Sequence, residues 1–167
     1  MKLSEEQCRY LIDTAESKKQ WSRIRGGSKT SYETVTLTID DDALIELFSS
    51  YCLQELNLQL RPSKVAIIKY QQGDLIQKHI DKGSDFPDPN KFTSDAVYNI
   101  NIRLNEGYKG GQFFLDDKLF YKPLGEIYHY NSDVYHEVKE ITEGVRYIAL
   151  ISVSYEDTIV SKTHTLI

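Results

Sequence analysis

A mainly β domain with N-terminal helices, a β-sandwich or barrel carrying those helices on one outer face, is the fold the sequence predicts. Three observations lead there. The 167 residues suit a single domain, long enough to bury most of the surface an unfolded chain exposes. Apolar residues recur at helical spacing in two segments, both ahead of Pro62. Beyond Pro62 the texture changes to short β-rich runs separated by turn residues, the order of elements expected of an α+β architecture.

Ser4 and Gln7 have the spacing of a capping box, and Cys8, Leu11, Ile12 and Ala15 follow at helical period, which predicts a first helix over residues 4–19. Gly26-Gly27 marks a turn, and Val35, Thr36, Leu37, Thr38 and Ile39 alternate as a half-buried strand does. Asp40, Asp41 and Asp42 sit where a helix N-terminus favours negative charge, and Leu44, Leu47, Phe48, Tyr51, Cys52 and Leu56 form the apolar stripe of a second helix. Strands are then expected over residues 64–71, 96–104, 111–115, 118–121, 126–131 and 145–155, with Gly73, Gly107, Gly110-Gly111, Asp116-Asp117, Pro123, Gly125 and Gly144 between them. Gly110-Gly111 is read as serving backbone geometry, a tight turn or a bulge. Residues 83–95 are polar, hold Pro87 and Pro89 and show no period; they read as a long loop of the kind that forms lids. The organisation is one domain over 1–167: helical and hairpin support over 1–61, a β core over 62–156 and a tail over 157–167.

The composition narrows the function classes. The net charge is −5, which argues against nucleic acid as a default partner. One exception is local: Lys18, Lys19, Arg23, Arg25 and Lys29 form a positive run, either a solvated surface or a device for steering substrate. No apolar run is long enough for a transmembrane helix, and the charged first ten residues do not resemble a secretory signal, so a cytoplasmic protein without a membrane partner is expected. Cys8 and Cys52 are too few for a disulfide scaffold and are read as buried free thiols.

The chemistry concentrates in a few residues. In the run from Val97 to Leu104, Tyr98, Ile100, Ile102 and Leu104 share one face, and Asn99, Asn101 and Arg103 share the other, which faces either solvent or a wet cavity. The chain has four histidines, His79, His129, His136 and His164. On an extended strand His79 and Asp81 project from one face, and His136 follows in a second β-rich segment. Two imidazoles and one carboxylate are the donors of the facial triad that binds non-haem Fe(II), and the absence of a nearby cysteine argues against structural zinc. Arg146, ten residues after His136, interrupts the apolar run from Val145 to Ser152. A guanidinium there demands an anion: the distal carboxylate of 2-oxoglutarate or an internal acid. Nothing pairs His129 with a carboxylate at ligand spacing, so it is read as structural or superficial, and His164 as part of the tail.

Taken in order, Tyr70-x-x-Gly73, His79-x-Asp81, Leu104-Asn105-Glu106, Gly110-Gly111, His136-x-Val138 and Gly144-x-Arg146-Tyr147 resemble the prolyl 4-hydroxylase-like 2-oxoglutarate/Fe(II)-dependent dioxygenases. The resemblance spans residues 63–154. It implies a double-stranded β-helix (jelly-roll, cupin-like) core with helices packed on the major sheet. It also implies Fe(II) on His79, Asp81 and His136, 2-oxoglutarate on Arg146 with Tyr70 hydrogen-bonded to it, O₂ as oxidant and ascorbate as reductant. Asp81 stands where related halogenases have a small residue, which favours hydroxylation. The strand with Asn99, Asn101 and Arg103 would line the cavity and bind substrate. Arg103 departs from the aromatic or hydrophobic residue of many relatives and would hold either 2-oxoglutarate or an acidic group of the substrate. The implied substrate is a prolyl residue of a peptide or protein. A free amino acid or other small molecule, a nucleobase, and an inactive jelly-roll binding module are the alternatives.

Overall fold

The computed structural model of the chain describes residues 1–27, 29–81, 96–154 and 156–158. The expected lid over 83–95, His164 and nearly all of the expected tail lie outside the described residues.

The elements in chain order are α1 (Glu5–Lys18), β1 (Ser22–Gly26), β2 (Thr30–Thr38), α2 (Asp42–Leu56), β3 (Lys64–Tyr70), β4 (Ile76–His79), β5 (Ala96–Arg103), β6 (Lys109–Gly110), β7 (Phe113–Leu115), β8 (Lys118–Leu119), β9 (Ile127–Asn131), β10 (His136–Val138), β11 (Ile141–Glu143) and β12 (Arg146–Ser154). The capping box forms: Ser4 Oγ accepts from the Gln7 N–H at 3.0 Å, and Gln7 Oε1 accepts from the Ser4 N–H at 2.9 Å. Of the three aspartates ahead of α2, Asp41 is the cap, its carboxylate accepting from the Leu44 N–H at 3.1 Å. The hairpin partner β1 carries no apolar alternation because it is an edge strand with no buried face, so only the half of β2 that meets the core shows the pattern.

A six-stranded sheet in the order β1-β2-β3-β12-β5-β9 and a four-stranded sheet in the order β4-β10-β7-β8 make up the body, with β11 and β6 as a separate pair; every pairing is antiparallel. Two clusters fill the interior. Cys8, Leu11 and Ala15 of α1 and Leu44, Phe48 and Cys52 of α2 join Leu37, Val65, Ile67, Ile100, Ile102 and Ala149 of the larger sheet. Both cysteines are buried free thiols. The second cluster draws Ile68, Tyr70, Tyr128, Tyr130 and Ile148 from the larger sheet and Phe113 and Val138 from the smaller, with Ile141 of β11. Period two assigns each strand's residues to one cluster or the other.

One member of the positive run is tied down: Arg23 reaches Asp74 at 2.6 Å and Glu33 at 3.1 Å, acids supplied by other strands and loops of the chain. Among the described residues no helix is long and apolar enough to cross a membrane.

Candidate metal centre and its cavity

His79 closes β4 and pairs directly with His136 at the start of β10, which sets the two rings 4.2 Å apart between centroids. Asp81 lies in a bend just past the end of β4, not on the strand face that the i, i+2 spacing implied. Backbone ties bring it back: the Asp81 N–H donates to Ser132 O at 2.9 Å, and Ser132 is in turn held to Val97 and Ala96 at the head of β5. The donor atoms of His79, Asp81 and His136 lie within 4.8 Å of one another.

The hydrogen bonds around the rings decide which nitrogen faces inward. His79 Nδ1 lies 2.8 Å from Gln77 O and His136 Nδ1 lies 2.9 Å from Val134 O. A carbonyl only accepts, so Nδ1 carries the proton in both rings and a neutral ring has its lone pair on Nε2. Both Nε2 atoms point at Asp81 Oδ1, at 2.8 and 3.4 Å. Two lone pairs and an anionic oxygen converging without a proton between them repel, and a divalent cation removes the repulsion. The donor set and the orienting carbonyls therefore fit a metal ion that accepts imidazole and carboxylate.

The second oxygen of Asp81 is anchored too. Asn99 Nδ2 donates to Asp81 Oδ2 at 2.5 Å, and Ser152 Oγ lies 3.4 Å from Asn99 Oδ1 on the neighbouring strand. Ser152 as donor sets which way the amide faces, and the amide leaves Oδ1 as the ligand oxygen. Sequence reasoning placed Asn99 among substrate contacts; the structure places it in the cavity lining and gives it Asp81 as a partner. A serine on the inward face of an otherwise apolar β12 was the available signal for the pair.

These groups open on a cavity of about 240 Å³ between the two sheets. Arg146 and Tyr70 stand side by side in it, paired across β12 and β3, with the guanidinium 5.0 Å from the ring centroid. Arg146 is 4% exposed, yet its Nε and Nη1 are buried with no hydrogen-bond partner. An internal acid, the other partner that the sequence left open, does not meet these nitrogens. A buried guanidinium so arranged fits a carboxylate ligand. Burial pushes the Tyr70 hydroxyl above its ordinary range, although Arg146 opposes the shift, so the group stays a neutral donor. Gly111 makes room here: its φ is +69°, and a Cβ would stand 2.4 Å from Ile141 Cδ1 and 2.9 Å from Arg146 Cδ.

Asn101 also lines this cavity, with Nδ2 buried and unpartnered. Arg103 shares the face of Asn99 and Asn101 on β5 but opens on a second cavity, also of about 240 Å³, that has Arg146, Phe113 and Tyr128 in common with the first. Tyr128 and Tyr130, the residues flanking His129, wall the first cavity and went unnoticed in the sequence because attention fell on the histidine between them. His129 faces the other way, its Nδ1 lying 2.7 Å from the Tyr51 hydroxyl.

No protein-family model matches the chain, and no curated protein sequence does. Solved structures do. A 2-oxoglutarate-Fe(II) oxygenase family oxidoreductase from Burkholderia pseudomallei is 13% identical at a TM-score of 0.63, over 86% of this chain and 77% of that one. The viral collagen prolyl hydroxylase of Paramecium bursaria Chlorella virus-1, in complex with 2-oxoglutarate, is 16% identical at 0.65, over 90% and 89%. A prolyl-4-hydroxylase from Pseudomonas putida is 17% identical at 0.66, over 89% and 85%. The chain thus has the jelly-roll-type fold of the 2-oxoglutarate/Fe(II) oxygenases.

Proposed function

We propose that the chain is a 2-oxoglutarate- and Fe(II)-dependent oxygenase that hydroxylates a C–H bond, and that its substrate is a prolyl residue of a peptide or protein. The observation that carries the reading is one of convergence. Two imidazole Nε2 atoms and a carboxylate oxygen meet in the same cavity as a buried guanidinium whose Nε and Nη1 have no partner.

In this reading His79, Asp81 and His136 hold the iron through three donors, and Arg146 takes the distal carboxylate of 2-oxoglutarate, with the neutral Tyr70 hydroxyl beside it. Bound Fe(II) with 2-oxoglutarate and O₂ supplies an oxidant able to break an unactivated C–H bond, and yields succinate and CO₂. The protein supplies orientation: carbonyls of Gln77 and Val134 fix the rings, Asn99 fixes the carboxylate, and Phe113, Tyr128 and Tyr130 exclude water from the cavity. Support for a prolyl substrate comes from the fold, since two of the solved structures that share it are prolyl hydroxylases. Ascorbate is the reductant to supply in the assay.

The test incubates the protein with Fe(II), 2-oxoglutarate and ascorbate against a panel of proline-containing peptides and of metabolites. The expected result is Fe(II)-dependent succinate release, lost in Asp81→Ala, and a gain of one oxygen atom on a prolyl peptide by mass spectrometry. Oxygen gained only by a free amino acid or another small molecule overturns the prolyl assignment. Succinate release that is undiminished in Asp81→Ala overturns the metal centre.

A further inference from the structure

The second cavity shares Arg146, Phe113 and Tyr128 with the first, and adds charged groups that the proposed reaction does not use. Its wall holds three cations, Arg103, Lys122 and Arg146, and no acidic residue. Aromatic side chains supply much of the remainder, among them Tyr108, Phe113, Phe120 and Tyr128. Arg103 is partly satisfied: its Nη2 donates to the Tyr121 hydroxyl at 3.0 Å and to Glu106 at 3.2 Å, and the Tyr121 ring lies 4.9 Å from its guanidinium. Its Nε, however, is buried with no partner. Because the Tyr121 oxygen accepts from Arg103, that hydroxyl keeps its own proton to donate.

This cavity is not an annex of the metal centre. Asn99, which touches the metal carboxylate, and Arg103 are four residues apart on β5, which at about 3.4 Å per residue separates their backbone levels by about 14 Å. Arg103 lines the second cavity and not the first.

We propose that the second cavity is a binding site for a small organic carboxylate, held by Arg103 Nε, with Lys122 and Arg146 completing a positive wall and the aromatic rings packing the apolar body of the ligand. With both N–H bonds of Nη2 taken by Tyr121 and Glu106, the free Nε–H offers a carboxylate oxygen one charge-assisted hydrogen bond. Aromatic walls favour an anion with an apolar part over a fully hydrated phosphate. Arg146 lines both cavities, so an occupant of the second neutralises part of the same positive charge that faces the first.

The test is a titration of the metal-free full chain with benzoate, and separately with inorganic phosphate, followed by amide chemical shifts. Neither metal nor turnover is needed, so the outcome is independent of the oxygenase reading. Benzoate should shift the amides of Gln112, Leu119 and Tyr121 saturably, and Arg103→Gln should raise that dissociation constant about tenfold or more. Unchanged α1 resonances in Arg103→Gln show that the variant is folded. Lys122→Gln, at a half-exposed position, gives a second reading in which a rise of about threefold is expected. Absence of a saturable shift at those amides, equal affinity in both variants, or tighter binding of phosphate than of benzoate overturns the proposal.

Discussion

The two faces of the larger sheet obey opposite rules. Toward the helices, the cluster built on Leu11, Phe48, Ile67, Ile100, Ile102 and Ala149 is apolar, and its most deeply buried members are aliphatic. Toward the smaller sheet, the interior is aromatic and carries Asn99, Asn101, His79, His136 and Arg146 as buried polar groups. Nitrogens of Asn101, Arg103 and Arg146 on that face have no partner, and unpaired buried donors cost stability. One sheet thus separates a face that stabilises the fold from a face that tolerates unmet polar groups, and the unmet groups are the ones a ligand can satisfy.

Adjacent residues of β5 give the sharpest way to break this contrast. Ile102 is 1% exposed and packs between Ala149 and Ile127 of the neighbouring strands. Ile102→Ala should cost about 2–5 kcal/mol in denaturant unfolding, as large-to-small changes in well-packed cores do. Asn101, one residue away on the other face, gives up an unpartnered donor on truncation, so Asn101→Ala should change stability by less than about 1 kcal/mol. Equal losses for the two variants would show that the inner face supports the fold as strongly as the outer.

Next in size is the effect of Asn99 on the metal. Its amide leaves Asp81 Oδ1 free by occupying Oδ2, so Asn99→Ala and the similarly sized Asn99→Leu should both weaken Co(II) binding about 10–100-fold, read from the absorption of the bound ion. Agreement between the two variants points to the lost donor. A full recovery of affinity in Asn99→Leu would instead assign the effect to packing.

How much of this was readable in advance follows the same division. The outer face announced itself: Ser4 and Gln7, the stripe from Leu44 to Leu56, the apolar alternation of β5 and the apolar run of β12 all encode burial against a dry partner. The metal-bearing strands left almost none. β4 is four residues and β10 three, too short for a period, and both were found only through the chemistry of His79 and His136. Asp81 lies beyond its strand and reaches the site through backbone bonds to Ser132, a tertiary contact that spacing cannot reveal. Arg103 was placed on the correct face, but no pattern in the sequence distinguishes one cavity along that face from the next.

Arg146 supplies the smallest expected effect on stability and the strictest test of the contrast. A buried guanidinium whose Nε and Nη1 lack partners carries a desolvation cost that no ion pair returns in the ligand-free protein. Arg146→Leu removes that cost and keeps apolar contact with Tyr70, so the metal-free protein should be unchanged or slightly more stable, within about 1 kcal/mol. The same variant should lose the stabilisation that added 2-oxoglutarate gives the wild type, because a ligand that binds only the folded state raises its melting temperature by mass action. Strong destabilisation of Arg146→Leu without ligand would mean that the guanidinium holds the two sheets together, and the inner face would then have to be counted with the outer as part of what folds the chain.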